Sequence, residues 1–337
     1  MQKRIIGPGE SGQRLDKYLA RLLKEAPKSF LYKMLRKKNI VLNDHKADGS
    51  EKLAVGDTVT LWLADETIAK FSGPAPKVPK THLPGARILY EDSHLMILDK
   101  PAGILSQKAE AEDISMNEIL IGELRSRGEV TDESLRTLKP SVCNRLDRNT
   151  SGIITAGRTQ DGLRFLSDGF KNRRFKKYYL TLVRGTISEA VSISGWLRKD
   201  EKTNQVTIKD EPAHGSDRIE TAFTPLAHGH GYTLLKVHLI TGRTHQIRAH
   251  LASIGHPVAG DMKYGDPETN AFFRQNFRLR RQFLHASLLV LSGRIDPSHD
   301  YEGCVIYSKP PRDLTDVLQG LGMKIPDLKD FQAGEEI

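Results

Sequence analysis

The sequence predicts an α+β protein: a small basic module followed by a larger domain whose core is a mixed, largely antiparallel β-sheet. Three observations carry that prediction. Helical periodicity runs through residues 14–38 and gives way to two short strand patterns. A proline-bearing stretch at 66–86 then breaks all periodicity. From residue 87 onward, short apolar runs bounded by turn residues alternate with helical patterns, and no repeat of fixed period appears. A chain of 337 residues is long enough for two cores.

The first helix is expected in RLDKYLARLL, residues 14–23. Leu15, Tyr18, Leu19, Leu22 and Leu23 form its inner face, and Arg14, Lys17 and Arg21 lie between them. Pro27 breaks it and Ser29 is the expected cap of a second helix, SFLYKMLRKK, with Phe30, Leu31, Met34 and Leu35 inward. NIVLNDHKADGS then reads as a strand into a turn, and VGDTVTLWL as a turn at Gly56-Asp57 into a strand that closes the module near Asp65. Residues 1–65 hold thirteen Lys/Arg against eight Asp/Glu, so the positive excess is concentrated here. Arg14, Lys33, Arg36 and Lys37 are candidate phosphate contacts, set against the plainer reading of a solvated helix face. The order helix, basic helix, strand, turn, strand resembles the alpha-L RNA-binding module of a small-subunit ribosomal protein and several RNA-modifying enzymes. The partner that this resemblance implies is RNA.

Residues 66–86, with four prolines, read as an extended linker. The larger domain is expected over 87–315 and a tail over 316–337. It opens with a hairpin: ILY, a turn at EDSH, then LMIL. SGIITAG is a buried strand, Thr159 caps a helix reaching Phe170, KKYYLTLVRG and YTLLKVHLIT are strands, and RTHQIRAHLASIG is a helix.

Composition narrows the function. Hydrophobic residues at 38% and a mean hydropathy of -0.44, with no apolar span, argue against membrane residence. The first residues lack the apolar core of a leader, so the expected compartment is the cytoplasm. Cys143 and Cys304 stand alone, without metal or disulfide spacing. A formal charge of +9 suits a polyanion partner without proving one. Neither GxxxxGK[ST] nor GxGxxG stands between a strand and a helix, so no nucleotide cofactor is expected. His245, His250, His256 and Asp261 could be drawn as a metal set. Their spacing does not put paired imidazoles on one helical face, and none is expected to bind metal.

One carboxylate stands out. SVCNRLDRNTSG sets Asp147 between Arg145 and Arg148. Read from these residues alone, it is either a turn aspartate bonded to nearby amides or a base or nucleophile beside guanidinium groups.

RLDRNTSG resembles the HRLDxxTSG signature of the RluA-type pseudouridine synthases. KKYYLTLVRG and TGRTHQIRAHLASIGHPVAGDMKYGD resemble their second and third motifs, ILYEDSHLMILDKPAGILS their opening hairpin, and LHASLLVL a late strand. The likeness runs from about Arg87 to Lys309 and, with the module in front, points to the branch that modifies large-subunit ribosomal RNA. It implies Asp147 as catalytic carboxylate, Tyr179 as active-site tyrosine, Arg248 as the arginine paired with the aspartate, and Arg145 as the group that displaces the target base. Thr150 and Arg243, inside the same motifs, are carried over as substrate contacts. Asn144 stands where the family usually has histidine.

The chemistry suits these types. Isomerising uridine breaks the bond from the sugar to ring nitrogen 1 and rejoins the sugar to ring carbon 5, with no redox change and no donor group, so no cofactor is implied. Cleavage develops positive charge on the sugar, which a carboxylate stabilises or captures. A guanidinium can hold that carboxylate bidentately. Tyr179 offers a flat face for the base and a phenol, or is simply a core aromatic with Tyr178 on the other face. FKNRRFKK (170–177) and FRQNFRLRRQ (273–282) mix cations with phenylalanines, as RNA phosphates and unstacked bases would require, or are solvated loops. The expected protein is a monomeric enzyme acting on ribosomal RNA, the alternative a non-catalytic RNA-binding or ribosome-assembly protein on the same fold.

Overall fold

A computed structural model describes residues 1–74, 86–110, 112–200, 203 and 205–332. The N-terminal module is β1 (Gln2–Ile5), α1 (Leu15–Leu22), α2 (Lys28–Arg36), β2 (Ile40–Leu42), β3 (His45–Lys46), β4 (Thr58–Leu61) and α3 (Asp65–Ser72). Its sheet runs β1-β4-β2-β3, all antiparallel. The apolar faces read from the sequence meet: Leu15, Tyr18, Leu19, Leu22, Leu31, Met34 and Leu35 are buried with Ile40, Val59 and Leu61. Pro27, not Ser29, stands at the cap of α2, because the fixed φ of proline (-59° here) already suits the entry to a helix. α3 corrects the expectation of an extended linker from residue 66. Ile68 is buried and Phe71 packs on Phe30 with ring centroids 4.6 Å apart, so the module's core continues to Ser72. The rest of that linker, 75–85, lies outside the described residues.

The larger domain begins with the hairpin β5 (Arg87–Glu91) and β6 (Leu95–Lys100), then α4 (Met116–Ser126), α5 (Ser134–Thr137), β7 (Ser141–Val142), β8 (Ser151–Gly157), α6 (Gln160–Lys171) and β9 (Lys176–Arg184). There follow β10 (Val191–Asp200), β11 (Gln205–Lys209), β12 (Asp217–Gly229), β13 (Tyr232–Leu239), α7 (Gln246–Ser253) and α8 (Pro267–Phe277). The C-terminal part is β14 (Leu284–Val290), β15 (Arg294–Asp296), β16 (His299–Asp300), β17 (Val305–Tyr307), α9 (Arg312–Gly320) and α10 (Leu328–Gln332). One sheet orders β11-β10-β12-β13-β9-β14-β8-β6-β5, with β17 on β14 and β7 on β8. Its pairs are antiparallel except β14 with β8, which run parallel. The fold is thus α+β with a mixed, largely antiparallel sheet. The strand alternation puts Tyr179 and Val183 against α6 and α7, and Tyr178, Leu180 and Leu182 against α8, α9 and α10.

One expectation fails here, and one of two alternative readings is excluded. The segment 316–337 is not a tail over its described part: Val317, Leu318, Leu321, Met323 and Phe331 are buried in the core behind the sheet, and Lys236 Nζ donates to the Phe331 carbonyl. Nor is 273–282 a solvated basic loop. Phe273 is fully buried, Phe277 packs beside it, and the Arg281 guanidinium is held by both carboxylate oxygens of Asp313 at 2.6 and 3.0 Å.

Candidate active site

The site forms where the 143–150 loop, β9 and the start of α7 converge on one cavity of ≈ 490 Å³, within the size range of small-molecule sites. The loop is pinned along its length. Asn144 accepts from the backbone N–H (2.7 Å) and hydroxyl (3.1 Å) of Thr155 and donates to the Ile153 carbonyl, zipping the chain before Asp147 onto β8. The Leu146 N–H and carbonyl both bond to Ser106 Oγ at 2.9 Å. The fully buried Lys100 donates to the carbonyls of Pro101, Arg148 and Thr150 at 2.8 to 2.9 Å. Burial pushes the Lys100 pKa down to about 7, against the pull of the Asp147 charge. Gly152 then takes φ +110°, and a Cβ there would lie 2.2 Å from the Ala286 carbonyl, so only glycine lets β8 approach β14.

Asp147 is not paired with its sequence neighbours. Arg148 turns to Asp113 (3.7 Å) and Arg145 lies exposed at the cavity. The partner is Arg248, whose Nη1 donates to Asp147 Oδ2 at 2.9 Å. The expected bidentate grip goes elsewhere: Arg248 Nε and Nη2 bind the two oxygens of Asp261 at 2.6 and 2.7 Å, and only Nη1 reaches Asp147. The Asp261 side chain is 0% exposed and that of Arg248 7%, against 23% for Asp147, so the guanidinium is clamped from behind and reaches outward. Burial pushes the Asp261 pKa up, but the Arg248 hydrogen bonds and charge, with N–H groups from Lys263 and Tyr264, outweigh it and hold the pKa down. Burial likewise disfavours the charged Arg248, and its two carboxylates more than restore it.

The turn into α7 sets this geometry. His245 sits at φ +55°, a left-handed conformation rare outside glycine, with Nδ1 3.0 Å from the Tyr264 hydroxyl. Gln246 fixes the turn: Oε1 accepts from Thr241 Oγ1 (2.9 Å) and the Arg243 N–H (3.0 Å), and Nε2 donates to the Glu220 carbonyl (3.0 Å) and Thr221 Oγ1 (2.9 Å). Burial lowers the His245 pKa, with Asp147 pulling the other way.

Tyr179 lines the cavity, and Tyr178 stacks on His238 behind the sheet (centroids 4.7 Å apart). Burial first, and then the charge of Asp147, raise the Tyr179 phenol well above its usual pKa. Thr150 also lines the cavity, with its hydroxyl accepting from Gln282 Nε2 at 3.2 Å. Arg243, half exposed there, pairs with Asp217 at 3.0 Å. Lys171, Arg173 and Lys177 add cations, Lys177 Nζ standing over the Phe170 ring 5.8 Å from its centroid. Burial, and then Arg173, lower the Lys177 pKa to about 8. Half of the FKNRRFKK segment therefore faces the cavity, while Phe175 is buried against Phe165. Arg14, Lys33, Arg36 and Lys37 lie apart from the cavity, exposed on the N-terminal module, with Arg14 paired to Asp16 at 3.1 Å. The four residues weighed as a metal set are partnered separately. Asp261 holds Arg248, His250 Nδ1 is 2.9 Å from Thr221 Oγ1, His256 Nδ1 meets the Arg184 carbonyl and His245 meets Tyr264.

Residues 94–253 match the family described as RNA pseudouridylate synthase. The chain is 32% identical over 322 residues to ribosomal large subunit pseudouridine synthase C of Vibrio parahaemolyticus, covering 92% of this chain and 93% of that one. It belongs to the RluA-type pseudouridine synthases. The protein of the same name from Escherichia coli is 31% identical over 320 residues, covering 91% and 92% of the two chains. Among solved structures, human RNA pseudouridylate synthase domain containing 4 shares the fold with a TM-score of 0.56 at 20% identity, over 71% of this chain and 94% of that one. Among the described residues, Asp147 is the carboxylate that lines the cavity. Sequence reasoning missed Asp261 as the clamp on Arg248 and Lys100 as the staple of the loop, and it read Lys177 only as one of the cations of FKNRRFKK.

Proposed function

We propose that this synthase isomerises one or more uridines of large-subunit (23S) ribosomal RNA, with Asp147 as the catalytic carboxylate. The observation that carries the reading is the Asp147–Arg248–Asp261 chain of charge-assisted bonds, which presents one carboxylate to a cavity otherwise rimmed by cations. RNA phosphates gather around Arg145, Arg173, Lys177 and Arg243, and the target base leaves its stack at a cost of roughly a few kcal/mol. Arg145, exposed at the cavity, takes the place of the extruded base. Thr150 contributes to the same wall. The uracil lies against Tyr179. As the bond to ring nitrogen 1 breaks, Asp147 faces the cationic sugar, and the Arg248 N–H keeps its carboxylate oriented. After the uracil turns and carbon 5 joins the sugar, carbon 5 loses its proton to water at the cavity and ring nitrogen 1 takes one up, so the step balances, while the Tyr179 phenol, kept protonated by burial and by the Asp147 charge, flanks the base. The exposed Arg14, Lys33, Arg36 and Lys37 hold flanking RNA.

Isomerisation conserves every atom and electron, so the reading needs no cofactor. It places a monomeric enzyme in the cytoplasm. The homology to proteins named for the large ribosomal subunit supports the substrate. The test is to incubate separate unmodified large- and small-subunit rRNA transcripts with the protein and map pseudouridine by carbodiimide-dependent primer-extension stops. Stops confined to the large-subunit RNA are expected; stops only in the small-subunit RNA, or in neither, would overturn the substrate assignment.

A further inference from the structure

Among the described residues, His94, Asp296 and His299 bring one imidazole or carboxylate ligand atom each within 4.8 Å of the others. None of them lines the catalytic cavity. His94 directly precedes β6, Asp296 ends β15 and His299 begins β16, so about 200 residues of sequence separate the first from the other two. His94 Nε2 stands 3.4 Å from Asp296 Oδ2, and His299 Nδ1 stands 3.0 Å from each Asp296 oxygen. The two rings meet edge to face with centroids 4.4 Å apart. In a tetrahedral zinc site with bonds of about 2.0 to 2.2 Å, neighbouring ligand atoms are about 3.3 to 3.6 Å apart. The separations to Asp296 are already close to those edges.

The far nitrogens of both rings are held as well. His94 Nδ1 is 2.7 Å from Thr159 Oγ1, which itself accepts the Gly162 N–H at the start of α6. His299 Nε2 is 2.9 Å from Ser93 Oγ. With each ring N–H turned to its hydroxyl, the tautomer that metal binding requires, the nitrogen facing the cluster and now beside Asp296 is the one that a metal would take, the arrangement that outer partners of histidine ligands provide. Asp296 Oδ1 also accepts the N–H groups of Ser298 and His299, which orients the carboxylate. Its side chain is 39% exposed, so solvent can supply the fourth ligand.

We propose that His94, Asp296 and His299 bind one divalent transition-metal ion of the zinc or cobalt type. Two imidazoles exclude magnesium and calcium, which take oxygen ligands. The bound ion ties the β15–β16 hairpin to the turn of the β5–β6 hairpin and, through Thr159, to the start of α6. Its consequence is stability of this corner rather than catalysis.

The experiment is equilibrium dialysis of the full chain with Co²⁺ or Zn²⁺ after EDTA treatment, with unfolding temperature followed in parallel. The wild type and Asp147→Asn are expected to take up one equivalent, to show the intense visible bands of tetrahedral Co²⁺, and to unfold several degrees higher with metal. His94→Gln and His299→Gln are expected to lose all three effects while matching the wild type in EDTA. Uptake that the substitutions leave unchanged, or several weak equivalents only, would mean adventitious binding and overturn the proposal. If a variant fails to fold, zinc X-ray absorption of the loaded wild type decides: two imidazole shells support the site, and an all-oxygen shell sinks it.

Discussion

At the residue scale, the account rests on one guanidinium serving two carboxylates. Arg248 spends its Nε and Nη2 on Asp261 and has Nη1 left for Asp147. A lysine cannot reproduce that fork. Arg248→Lys should therefore lower kcat by roughly 100-fold, the scale of an ångström-sized misplacement of a reacting group, with RNA affinity little changed. A filter-binding measurement beside single-turnover kinetics separates the two; equal loss of binding and rate would contradict the orienting role. Lys177 gives a prediction in pH. Its pKa near 8 means that the phosphate-attracting ammonium is intact below pH 8 and lost above it, so KM should rise with pH beyond 8. Lys177→Arg, always charged, should flatten that limb; an unchanged limb would remove Lys177 from RNA contact. The family motifs singled out Asp147, Tyr179 and Arg248, each in a distinctive segment, and the fold brings all three to one cavity. Asp261 was legible only as an acid near histidines. Its function depends on the chain folding back thirteen residues after Arg248, which no local pattern encodes.

At the element scale, periodicity revealed the helices whose apolar faces are regular and missed those where charge drew attention instead. In FRQNFRLRRQ, Phe273 and Phe277 stand four residues apart, one face of a helix, and that face is the buried one. In RDLTDVLQGL, Leu314, Val317, Leu318 and Leu321 follow the i, i+3, i+4, i+7 pattern and belong to the core. The short α10 had no such pattern; its main anchor is Phe331, fully buried and packed on Tyr307 at 5.9 Å between centroids, with Leu328 against the same core. Phe331→Ala should cost about 3 to 5 kcal/mol, measured by urea unfolding. A loss below 1 kcal/mol would show that the C-terminal helices are dispensable. Asn144 illustrates the opposite case, a departure from the family pattern that the structure explains by its bonds to Thr155 and Ile153.

Across the whole molecule, the N-terminal module is docked on the larger domain by polar contacts that no sequence pattern announced. Arg21, expected on a basic outer face, donates to Gln160 Oε1 at 2.6 Å and to the Thr137 carbonyl at 3.2 Å. Arg136 returns the contact to the carbonyls of Ser72 and Gly73, and Arg4 pairs with Glu133 at 2.7 Å. The basic helix α2 and the cavity thus belong to one frame, which suits recognition of RNA by shape over an extended surface. The central claim concerns what that frame delivers to Asp147. It is tested most directly by single-turnover conversion of a large-subunit rRNA transcript by wild type and Asp147→Asn, with RNA binding measured on the same samples. The account predicts that Asp147→Asn binds within a few-fold of wild type and forms no detectable pseudouridine. Conversion by Asp147→Asn at the wild-type rate would contradict it.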